Sequence, residues 1–191
     1  MAHSPSHRFG QIIGDLLEEI MTPQFQSFCD DRGLYLDKKG TRGEARDGKK
    51  VSWIDKYGNN HDLDFVIEKG GSENIRGRPL AFIEAAWRRY TKHSRNKAQE
   101  IQGAILPIAE KYDWDKPFLG VILAGVFTNG SLTQMRTSGF EVALFPYDSI
   151  IAAFAAIGID AKFDEETPDA IFQNTIKQIN ALTSEHRTSF K

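Results

Sequence analysis

The chain has 191 residues, 40% of them apolar and 26% charged, with a net charge of −2; this is the usage of one ordinary globular domain. No apolar run reaches the ~18 residues that span a bilayer, and Met1-Ala-His-Ser-Pro contains no apolar signal core. The lone cysteine, Cys29, excludes an internal disulfide and a cysteine zinc cage. These exclusions predict a soluble cytoplasmic protein with no membrane segment.

Ile12, Ile13, Leu16, Leu17, Ile20 and Met21 recur at helical spacing, predicting a helix over about 9–28 that Pro23 bends or ends. Residues 37–50, rich in Gly and Lys, read as an exposed loop, and Val51-Ser-Trp-Ile as a short strand. Leu63-Asp-Phe-Val-Ile alternates, predicting a strand over about 62–68. After a turn-rich stretch, Leu80-Ala-Phe-Ile-Glu-Ala-Ala-Trp predicts a second strand antiparallel to it. Ser94 is placed to cap a helix carrying Ala98, Ile101, Ala104, Ile105 and Ile108, with a kink expected at Pro107. Residues 118–127 form a continuous apolar run, as in buried central strands. A short helix stopped by Gly139, a strand over 140–145 and a helix closed by Gly158 follow. A last helix, capped by Thr167 with Pro168 in its first turn, runs to about Leu182. The order predicts one α/β domain over 1–191, with 160–191 as a C-terminal helical extension. Its mixed sheet is antiparallel first and crosses over later.

Two local features carry chemistry. Residues 86–97 hold Arg88, Arg89, Lys92, Arg95 and Lys97 and no acid, whereas residues 160–169 hold five acids against Lys162. A concentrated cationic strip on a near-neutral protein is a footprint for a polyanion. Asp62 and Asp64 lie two apart on a predicted strand, so their side chains leave one face, and Glu84 interrupts an apolar strand beside them. Converging carboxylates repel unless a cation neutralises them, and hard oxygen ligands select Mg²⁺, with Mn²⁺ able to substitute. The predicted metal ligands are therefore Asp62, Asp64 and Glu84. His61 and His93 lack zinc spacing, and no phosphate-binding glycine loop or nucleophile elbow is present.

Asp64-Phe-Val-Ile, a turn-rich hairpin, and Phe82-Ile-Glu-Ala-Ala followed by a polar helix resemble the PD-(D/E)XK nuclease superfamily. The resemblance covers roughly residues 9–145. It implies a restriction-endonuclease-like three-layer sandwich with a mixed central sheet flanked by helices. It also implies a Mg²⁺-dependent endodeoxyribonuclease acting on duplex DNA, working as a homodimer where its site is palindromic. The family aspartate matches Asp64, with Asp62 second, and the following acid matches Glu84. The family lysine falls on Ala86, so the resemblance implies either a lysine supplied from the next helix, for which Lys97 is chosen, or a non-catalytic nucleic-acid-binding module on the same fold. Arg88, Arg89, Lys92 and Arg95 are the expected DNA-binding side chains. Glu19 is the first-helix glutamate expected nearer the site, with Glu18 pointing toward solvent. A protein-interaction domain meeting an acidic partner is the third class.

Overall fold

The computed structural model describes residues 4–182, which run α1 (Pro5–Asp30), β1 (Leu34–Lys38), β2 (Val51–Ile54), β3 (Asn60–Leu63), β4 (Phe65–Lys69), β5 (Arg78–Arg88), α2 (Ser94–Lys111), β6 (Phe118–Gly125), α3 (Asn129–Thr137), β7 (Phe140–Pro146), α4 (Tyr147–Ala156) and α5 (Asp169–Asn180). Ser4 caps α1 by accepting from His7 N, and Pro5 occupies the first turn, where its missing N–H is harmless. Pro23 and Pro107 lie inside α1 and α2, and neither ends its helix.

One sheet orders its strands β1-β4-β5-β6-β7, and β2 and β3 form a separate hairpin. The pairings β1–β4 and β4–β5 are antiparallel, as expected of strands joined by short connections; β5–β6 and β6–β7 are parallel, across α2 and α3. Strand alternation sends Phe65, Ile67, Ala81, Ile83, Trp87, Ile122 and Ala124 toward α1, α4 and α5. Val66, Phe82, Ala86, Val121 and Leu123 point toward α2, α3 and the β2–β3 hairpin. The result is a three-layer α/β arrangement with a mixed five-stranded sheet flanked by helices. Among the described residues, no helix is long and apolar enough to cross a membrane.

Three local readings change. The strand predicted over 62–68 is two strands, broken at Asp64, where the chain passes from the small hairpin into the main sheet. Strand β1 begins before the predicted loop and includes its first two residues; its Asp37 is buried in an ion-pair cluster, which hides the strand from an alternation reading. The last helix has Pro168, not Thr167, at its cap, because the Thr167 hydroxyl donates to Asp164 instead. That helix is also built into the core, with Phe172 and Ile179 packed in the same cluster as Phe9 and Phe163.

Strand β4 starts at Phe65, opposite Ile83, so β5 overhangs it from Glu84 to Arg88 while still paired to β6 on its other side. The far end of this overhang is tightly packed. Gly125 has φ +99°, and a Cβ there would collide with the Arg88 carbonyl and stand 2.9 Å from the Trp87 ring. Gly125→Ala is therefore expected to lower the melting temperature by on the order of 5 °C, since both backbone strain and overlap add. A thermal scan matching the unsubstituted protein would refute this account of the strand end.

Candidate active site

The overhang of β5 leaves main-chain groups without a strand partner on the β4 side. Asp64 fills the first gap: its Oδ2 accepts from Ala85 N at 2.7 Å. One step beyond the Phe65–Ile83 pair, Asp64 thus faces Glu84 across the two strands, where cross-strand Cβ atoms stand ~5 Å apart. Arg88 fills a later gap by folding its own Nη1 onto the Trp87 carbonyl at 2.8 Å.

Lys97, in the first turns of α2, reaches back to Glu84 Oε1 at 3.5 Å and to Glu100 Oε1 at 2.8 Å; its side chain is 12% exposed. Ala86 explains the approach. It is buried on the same face as Glu84 and packs with Ala98 and Ile101 of α2, so a small residue there lets α2 close on the strand. The expected meeting of Lys97 with Glu84 is present in the geometry.

The other first-helix glutamate is at the site. Gly10, Gly14 and Glu18 form an i, i+4 row along α1, and Glu18 ends that row near Asp64 and Lys39. Burial, then the Asp64 charge, pushes its carboxyl up to about 7, against the pull of Lys39. Glu19, by contrast, is exposed. Glu18 lies off the apolar stripe of α1, so helical periodicity alone does not mark it. Lys39, on the segment after β1, pairs with Asp15 at 3.0 Å and with Glu18 at 3.9 Å.

Asp62 does not join this group. It lies on the hairpin strand β3, and its carboxylate accepts from Lys50 Nζ at 2.5 Å and Ser52 Oγ at 2.6 Å. The two aspartates were expected on one strand face; the bend at Asp64 leaves Asp62 in the hairpin and Asp64 at the junction with the main sheet. His61 is likewise spoken for, 2.8 Å from the buried Asp55 in the turn of the hairpin.

The electrostatics follow from burial. Desolvation first, and the facing Asp64 second, push Glu84 up to about 8, against the opposing effect of Lys97. Burial also raises Asp64, with the Ala85 N–H, Lys97 and Lys39 pulling the other way. Two carboxylates that resist joint ionisation are a donor set whose chemistry fits a hard divalent cation held through one or two carboxylates with water completing its shell. Among the described residues no set of three His, Cys, Asp or Glu side chains is grouped to hold a metal.

Beside the pair lies a groove of about 660 Å³ between the N-terminal turns of α1 and α2, reaching Ala85 and Lys97. Arg88 and Arg89 line it, whereas Lys92 and Arg95 are exposed outside it.

No family model matches the chain, and no curated protein matches it. Among solved structures, the crystal structure of a protein of unknown function, AF1548, is similar over 95% of this chain and 91% of that chain, at 11% identity and a TM-score of 0.40. So low a score carries no argument about fold or function.

Proposed function

We propose that this protein is a Mg²⁺-dependent endodeoxyribonuclease of the PD-(D/E)XK type, hydrolysing DNA phosphodiesters on a restriction-endonuclease-like fold. The observation that carries the reading is the half-buried pair Asp64–Glu84 with Lys97 against Glu84, beside a cationic groove. Asp64 and Glu84 would hold the cation, with Glu18 a further carboxylate on the Asp64 side. When bound, such an ion supplies a water of lowered pKa and polarises the phosphoryl oxygen.

The residues of the chain itself do the remaining work. Lys97 brings a largely buried ammonium to the place where negative charge grows on the phosphate, in a low-dielectric setting that strengthens it. This is the role left vacant at Ala86. Arg88 and Arg89 in the groove, and Lys92 and Arg95 outside it, neutralise backbone phosphates, so binding should weaken steeply with salt.

The test is nicking of supercoiled plasmid with Mg²⁺ or Mn²⁺. Cleavage is expected from the unsubstituted protein and none from Asp64→Ala, while Lys97→Ala should slow it by roughly a hundredfold or more, the loss of about one charged donor. DNA binding with no nicking in either metal would leave the non-catalytic module, and cutting by Asp64→Ala at the normal rate would place the chemistry elsewhere.

A further inference from the structure

We propose that the groove beside the acid pair seats one single strand of nucleic acid, with Arg89 fixing one of its phosphates. The proposal rests on the nucleic-acid half of the function proposed above and deepens it by naming the form of the substrate. Three observations converge on it.

The lining is one-sided in charge. Arg88, Arg89 and Lys97 contribute to it and no carboxylate does. The first turns of two long helices also open onto it, through Ser6 and His7 of α1 and Asn96 of α2, and helix N-termini favour anions.

Arg89 is a preset anion clamp. Its guanidinium lies over the Tyr90 ring at 4.4 Å and the Phe172 ring at 4.6 Å, and Nη2 donates to Ser6 Oγ at 2.8 Å. Its Nη1 is buried without an acceptor. A planar cation held by two rings and a hydroxyl at the groove loses little freedom on meeting a phosphate oxygen.

Size matches one strand: about 660 Å³ falls within the ~300–1,000 Å³ of pockets that enclose small molecules, room for a short stretch of a single chain of nucleotides. Basic grooves interleaved with aromatic rings, as Arg89 and Tyr90 are here, are the usual means of gripping a single strand. The small residues Gly10, Gly14, Ala85 and Ala86 along the lining keep it open to a backbone.

The experiment is fluorescence anisotropy with a labelled single-stranded oligonucleotide and with a hairpin duplex containing the same sequence, in EDTA so that no cleavage intrudes. The single strand should bind at least tenfold more tightly than the duplex, with a log–log salt slope near about −2 for three contacts. Arg89→Ala should weaken it by about tenfold. Because Arg89 also packs on the core, Gly14→Glu provides an independent probe: a Cβ there meets nothing within 4 Å, and replacing a mid-helix glycine favours folding. Its added carboxylate should weaken binding by a similar factor. Equal or tighter duplex binding, or unaltered affinity in both Arg89→Ala and Gly14→Glu, would overturn the proposal. Strand binding as expected without any metal-dependent nicking would sink the nuclease reading alone; nicking combined with indifferent groove variants would sink the groove alone.

Discussion

Glu84→Gln is expected to lower the proposed phosphodiester cleavage about a thousandfold or more, while raising the melting temperature of the metal-free protein at pH 8. A thousandfold corresponds to about 4 kcal/mol of transition-state stabilisation, within reach of a cation and the carboxylate that holds it. The stability gain has the opposite origin. Burial and Asp64 lift the Glu84 carboxyl from 4.5 to about 8, so the folded protein keeps a proton that the unfolded chain gives up over that interval. Stability therefore falls as pH rises from about 4.5 to 8, and Glu18, lifted to about 7, adds to the same slope. Glutamine cannot ionise. It should flatten that part of the profile and add on the order of a few kcal/mol at pH 8, with little change at pH 4. Thermal scans across pH, with and without Mg²⁺, read this directly. A glutamine variant less stable than the parent at pH 8 would show that Glu84 is a structural anion, paired with Lys97 and nothing more.

The second large effect lies away from the proposed chemistry. Arg42 is buried with Asp37 and Glu68: Nη1 stands 2.9 Å from Asp37 and 2.5 Å from Glu68, Nη2 2.9 Å from Glu68, and Nε donates to the Ser72 carbonyl. Arg46 reaches the same Asp37 and the carbonyls of Lys38, Gly40 and Gly48. Four buried charges of two signs thus tie the segment after β1 to the turn after β4. Arg42→Met should destabilise the protein by about 3–5 kcal/mol, because it strands Asp37 and Glu68 without their shared partner. Removing Glu68 as well should recover part of that loss, since the penalty is an unmatched charge more than a missing attraction. Urea midpoints of the two single variants and the double variant give the coupling. Strict additivity would mean that the pair acts as two independent polar contacts.

Much of the framework was legible from periodicity. The first helix, the strand over 80–87, the run over 118–127 and the helices closed by Gly139 and Gly158 all stand near their expected places, because each carries apolar residues at the spacing of its element and buries them. Two of the readings that moved did so at an aspartate withdrawn from solvent. Asp37 conceals β1, and Asp64 divides one apparent strand into two, because its carboxylate substitutes for a missing strand partner at Ala85. Alternation along one chain cannot register a bend of that kind. The pairing of Glu84 with Lys97 was within reach because Ala86 leaves room for helix α2. Glu18 was set aside as solvent-facing because it lies off the apolar stripe that periodicity reports, although it stands 3.9 Å from Lys39 and feels the Asp64 charge. Asp62 was misplaced by the same bend that sets Asp64 in position.

The C-terminal helix holds a stake in the far end of the molecule. Phe172 backs the Arg89 guanidinium, and the Tyr90 hydroxyl donates to the Asp164 carbonyl at 2.7 Å. Trimming the chain at residue 160, where composition turns acidic, would therefore unseat a cation some seventy positions earlier. A shortened version that still folds would lose the support of Arg89 with its carboxylates intact, and the acidic segment acts as scaffolding for the basic rim.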